Sequence, residues 1–110
     1  MGTFDSHASR SNGQAVVRVK GDVDIYTAPQ LWETLDAVIA DTPHELVVDL
    51  SDVTFLDSSG LSVLVRAHKR LRPIDCKVVV RGAAEQVYMA LELTKLNTVF
   101  RVEAPSKPVS

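Results

Sequence analysis

The chain has 110 residues, 45% of them apolar and 24% charged, with a formal net charge of −2. That length suits one compact domain and not two. The composition excludes wholesale disorder and a minimal disulfide-stapled scaffold, and the charge gives no sequence-independent pull towards nucleic acid or anionic lipid.

Cys76 is the single cysteine, so no internal disulfide forms. It stands in CKVVV, a strand-like run, where a buried, inert thiol is expected. The first ten residues, MGTFDSHASR, contain no apolar core of a signal peptide. No apolar run approaches a membrane span. A cytoplasmic protein with no membrane partner is therefore expected. Met1-Gly2 raises N-myristoylation, with Ser6 as its only support.

In chain order, Thr3 to His7 reads as a short edge strand. Ala8 to Gly13 (ASRSNG) is a turn, with Asn12-Gly13 as a hairpin signal. Ala15, Val17 and Val19 then alternate with Val16, Arg18 and Lys20, the pattern of a half-buried strand, and Gly21 to Asp24 ends it. Thr27 and Gln30 have the spacing of a capping box, and Pro29 is tolerated in a first helical turn. Leu31, Leu35, Val38 and Ile39 make one apolar stripe, with Trp32 beside it as packing; Pro43 requires the helix to end before it. Leu46 to Leu50 is the run of a strand buried on both faces. Asp49 interrupts it, so its charge needs a partner or an exposed strand end.

A second helix starts near Ser58, with Leu61, Leu64, Val65 and Leu71 on its inner side, and Pro73 stops it. The basic cluster Arg66 to Arg72 (RAHKRLR) reads as this helix's solvated face and last turn. Cys76 to Val80 is a strand closed by Gly82. Ala83 to Leu93 is a helix facing inward through Val87, Ala90 and Leu91, and Thr98 to Val102 is a last strand. Residues 1–103 thus read as one α/β domain, and residues 104–110 (APSKPVS) as a disordered tail. The order β-β-α-β-α-β-α-β predicts a mostly parallel mixed sheet of four to five strands with helices packed on it and right-handed crossovers.

Asp57-Ser58-Ser59-Gly60 is the candidate site. A helix N-cap, worth about 1 kcal/mol, accounts for one polar residue of the three. It leaves Gly60 unexplained, since glycine costs up to ~1 kcal/mol against alanine inside a helix. A glycine there allows another backbone or a phosphate to approach. The N–H groups and dipole of a helix start favour an anion, so such a serine suits phosphorylation. A Ser58–His44 hydrolase is the reading from another class. There is no G-x-S-x-G elbow, and His68 stands ten residues along Ser58's own helix, roughly 15 Å away. No metal-ligand spacing and no phosphate-loop signature occurs, so neither a metal nor a cofactor is expected.

The run VVDLSDVTFLDSSGLSVLV (Val47 to Val65) resembles the signature of STAS domains, in particular bacterial anti-sigma factor antagonists. VKGDVDIYTAPQL (Val19 to Leu31) is similar to that family's first strand-to-helix junction, and the element order matches through Val102. The resemblance implies a phosphoacceptor at Ser58 and no enzymatic activity. The unphosphorylated protein would bind an anti-sigma factor serine kinase and release a sigma factor. Phosphorylation would abolish binding, and a serine phosphatase would reset it. It also implies switch roles for Asp24, Asp57, Ser59 and Gly60, with Gly60 leaving room for the partner. Ser62, Arg66 and Lys69 (or Arg70) continue along the outward side of the helix and extend the expected partner surface. The family usually ends with another helix, which residues 104–110 do not supply. The rival within the family is a non-switching scaffold subunit of a stressosome or a lipid-transport complex.

Overall fold

The computed structural model describes residues 4–103. Strands β1 (Asp5–Ser11), β2 (Gln14–Val23), β3 (Glu45–Leu56), β4 (Lys77–Arg81) and β5 (Arg101–Val102) form one sheet in the order β1-β2-β3-β4-β5. β1 is antiparallel to β2; the other neighbouring pairs are parallel. Helices α1 (Ala28–Ile39), α2 (Ser58–Leu71) and α3 (Glu85–Leu93) make the crossovers. The α/β class and strand number are those read from the sequence.

All three helices share one core with one face of the sheet. Val17, Val19, Leu46, Val48, Val78 and Val80 meet Leu31 and Leu35 of α1, Val63 and Leu64 of α2, and Val87 and Leu91 of α3. Alternation along the strands turns these side chains to one side. On the other side Val16, Val47 and Val79 are cross-strand neighbours, next to a row of Arg18, Asp49 and Arg81.

Several boundaries differ from expectation, and each has a local cause. The first strand starts later and runs through Ser11, because Ala8 to Ser11 pair with Gln14 to Val17. Asn12-Gly13 is the hairpin turn, with positive φ at both residues. β2 and β3 run past Lys20 and Leu50 to Val23 and Leu56, across two irregularities in their register. Both irregularities place the extra residue in β3 and break its period of two after Leu50, whereas β2 keeps its alternation through Gly21 to Val23 beneath turn-forming residues. Thr27 stands at the N-cap of α1 without a capping box. Its hydroxyl instead donates to the Asp22 carbonyl, at 2.8 Å. The last strand shrinks to Arg101–Val102, and Leu96–Thr98 form a 3-10 turn. The expected tail and the myristoylation site lie outside the described residues.

On α2 the buried stripe is Gly60, Val63, Leu64, Ala67 and Leu71; Leu61 and Val65 are only half-buried. The helix is rotated from the expected orientation, because the small residues Gly60 and Ala67 let it approach the sheet. Ala90 of α3 is likewise half-buried. Cys76 is half-buried just ahead of β4, and burial pushes its thiol up.

Asp49 has the partners its position demands. The amide and hydroxyl of Ser51 donate to it, and the Arg81 guanidinium lies 3.6 Å away. Burial raises its carboxyl, but these hydrogen bonds, with Arg81 and Arg18, outweigh it and hold the group below its ordinary value. A depressed acid stabilises the fold above its unfolded pKa, ~3.9, and loses that contribution as pH falls through the folded value. Thermal melts taken from about pH 5 to about pH 3 should fall more steeply for the native chain than for Asp49→Asn.

Candidate functional site

The site is built where β2 and β3 end. The Asp57 amide donates to the Val23 carbonyl at 3.1 Å, which ties the start of α2 to the end of β2. Asp57 is extended and caps α2: one carboxylate oxygen accepts from the amides of Ser59, at 2.8 Å, and Gly60, at 3.4 Å. Ser58 follows as the first helical residue, exposed to solvent. Among the described residues no side chain hydrogen-bonds its hydroxyl. The N–H groups expected to be open to an anion are thus partly taken by Asp57. Ser59 is half-buried, and Ser62, one turn on, is exposed.

Gly60 is buried, and a Cβ there would stand 2.8 Å from side-chain carbons of both Leu56 and Val23. This corrects the sequence-based reason for the glycine. It makes room for the protein's own core, not for a partner at the surface.

Asp24 lies one residue past the carbonyl that receives the Asp57 amide. Its carboxylate accepts from the amides of Tyr26 and Thr27, at 2.9 and 3.0 Å, and from the Thr27 hydroxyl. The Thr27 amide, foremost, and that of Tyr26 outweigh desolvation and lower its pKa. Asp24 therefore shapes the loop ahead of α1. Asp22 is also held locally, by the Thr54 hydroxyl at 2.6 Å.

That loop presents residues the sequence reading passed over. Tyr26 is 83% and Ile25 67% exposed, and Phe55, beside Asp22 in the β2–β3 register, is 50% exposed. The available signal was an Ile-Tyr pair inside the polar run GDVDIYTAP, with no periodic partner. Arg66, read as part of an outward stripe, holds its guanidinium 4.0 Å from the centre of the Trp32 ring, with Arg70 at 5.8 Å on the same indole. Cation–π contacts of this kind join α2 to α1, so Arg66 serves the helix packing as well as the surface.

No histidine meets Ser58. His44 precedes the 12-residue β3 and Ser58 follows it, so at ~3.3 Å per residue they are roughly 35 Å apart. His68 packs edge-on against Phe100, and His7 lies beside Asp5. The Ser58–His44 hydrolase has no geometric basis. Among the described residues no group of three or more His, Cys, Asp or Glu side chains gathers as metal ligands.

Comparisons with known proteins give the family and the fold. The STAS domain family model matches residues 6–107. The anti-sigma-F factor antagonist RsfB of Mycobacterium tuberculosis is 37% identical over 92 residues, 83% of this chain and 74% of that one. The anti-sigma-B factor antagonist of Listeria monocytogenes is 33% identical over 85 residues, 77% of this chain and 75% of that one. A crystal structure of an anti-sigma factor antagonist from Mycobacterium paratuberculosis superposes with a TM-score of 0.78 at 37% identity, covering 91% of this chain and 85% of that chain. The family match and the fold define a STAS domain. The chain belongs to the STAS-domain family of anti-sigma factor antagonists.

Two substitutions separate the architectural roles. Gly60→Ala forces Leu56 and Val23 apart and should cost about 1–3 kcal/mol in a denaturant melt. Asp57→Ala should cost about 1 kcal/mol by loss of the cap, and Asp57→Asn should cost less because it still accepts the hydrogen bonds.

Proposed function

We propose that this chain is an anti-sigma factor antagonist controlled at Ser58. The unphosphorylated form binds an anti-sigma factor that is also a serine kinase, and so releases a sigma factor in the cytoplasm. Phosphorylation of Ser58 abolishes binding, and a serine phosphatase restores it. The protein acts as a binding module and not as an enzyme. The observation that carries this reading is an exposed serine hydroxyl at the start of α2 that has no side-chain partner among the described residues, at the end of the sheet where Ile25 and Tyr26 follow β2 and Phe55 nears the end of β3, all three exposed. The names of its relatives support the same reading.

The electrostatics account for a switch without a change of fold. A phosphate adds about −1.5 to −2 charges at pH 7. Asp57 already accepts from the amides of Ser59 and Gly60. A phosphate therefore joins a like charge and competes for the same donors. In the free protein water screens that charge; under a partner it is desolvated. A loss of about 1.4 kcal/mol weakens binding tenfold, so this one charge is enough. Exposed Tyr26 and Phe55, at the same end of the sheet as the start of α2, supply the apolar contact that an interface centre needs.

Calorimetry with a purified anti-sigma factor kinase tests the reading. Ser58→Ala should bind like the unmodified chain and accept no phosphate. Ser58→Glu should bind at least about tenfold more weakly. Tyr26→Ala should also weaken binding by about tenfold or more, with an unchanged melting temperature. Equal affinity of Ser58→Ala and Ser58→Glu would refute the phospho-switch.

A further inference from the structure

β1 is an outer strand of the sheet, and among the described residues no strand pairs with its free side. Such an edge is a template for another strand unless proline, lysine, a bulge or a covering segment blunts it. β1 has seven residues, contains neither proline nor lysine, and pairs with β2 without a register shift. Its arginine, Arg10, is tied to Asp41 just past α1.

The hairpin fixes which backbone groups point outward. Asn12 and Gly13 both have positive φ, as a two-residue I′ turn requires, and Ser11 faces Gln14 across it. The closing pair of such a turn exchanges both its hydrogen bonds, and bonded and non-bonded pairs then alternate along an antiparallel ladder. Asp5, His7, Ser9 and Ser11 therefore direct their N–H and C=O groups at β2. Those of Ser6, Ala8 and Arg10 point to the free side.

We infer that β1 pairs antiparallel with β1 of a second copy of this chain, about a two-fold axis at Ala8. Ala8 is the midpoint of Asp5–Ser11, so this register engages all three outward residues of each copy. The N–H and C=O groups of Ser6 meet those of Arg10 of the second copy, and Ala8 meets its own equivalent. His7 then stands opposite Ser9, and Asp5 opposite Ser11. No like charges face one another, a juxtaposition that would oppose pairing. Moving the axis to Arg10 would set two guanidinium groups opposite and leave part of each edge unused. The strand is thus complementary to itself, which is what a two-fold contact demands. Two polar strands bury little apolar area, so the dimer is of the transient class and forms at high chain concentration. β1 lies two strands from β3, which leads into Ser58, so the pair presents two Ser58 residues on one particle.

Sedimentation equilibrium and amide hydrogen exchange on the full chain, at about 10 μM and about 1 mM, test the pairing. At the higher concentration the chain should sediment as a dimer, and the amides of Ser6, Ala8 and Arg10 should gain several-fold protection. Those of His7 and Ser9 should be protected at both concentrations. Ala8→Pro removes only an outward N–H, which an edge strand tolerates, and should stay monomeric. Where Ala8→Pro fails to fold, Ser6→Lys and Ser6→Glu decide. Both lose the Thr34 hydrogen bond, but the lysine would face Arg10 of the second copy and the glutamate would attract it, so Ser6→Glu should associate several-fold more tightly. Concentration-independent exchange at Ser6, Ala8 and Arg10, or equal association of Ser6→Lys and Ser6→Glu, would overturn the pairing.

Discussion

The close approach of α2 to the ends of β2 and β3 is the contact on which the rest depends. At Gly60 the helix has no Cβ, and Val23 and Leu56 come to where one would be. The Asp57 amide meets the Val23 carbonyl in the same place. These contacts set the depth and direction of the first turn of α2. A larger residue at Gly60 has to displace core side chains, because a packed interior has no spare volume. Exposed Ser58 thus stands on a rigid base.

The polar groups around this base are already satisfied, and that limits what each can do. Asp57 caps α2, Asp24 organises the loop before α1, and Asp22 holds Thr54. None is an idle carboxylate waiting for a ligand. Ser58 is different: its hydroxyl has no partner among the described residues, so modifying it breaks no existing side-chain bond. Under the proposed switch, a charge added to such a group would leave the side-chain bonds of the fold intact in both states.

Much of this architecture was legible in the residues, for identifiable reasons. The alternation of Val17 and Val19, the stripe of Leu31, Leu35, Val38 and Ile39, and the helix stop at Pro73 are local patterns, and the fold follows them. The errors gather where tertiary contacts override a local rule. β3 outlasts its alternation because two bulges each absorb an extra residue in it. Thr27 has the spacing of a capping box, but Asp24 and the Asp22 carbonyl compete for its groups. α2 turns its small residues inward, a choice that depends on the shape of the surface it meets.

The sequence by itself determined the α/β order, a polar helix start at Asp57-Ser58-Ser59-Gly60, and the resemblance to a family, since all three are written in neighbouring residues. Only the tertiary structure decided what surrounds that serine. It turned Gly60 from an opening for a partner into a packing glycine, placed Arg66 over Trp32, separated His44 from Ser58 by the length of β3, and left Leu61 and Val65 half-buried at the edge of the core. Each of those outcomes depends on segments distant in sequence meeting at atomic range. No periodicity within one segment encodes that meeting.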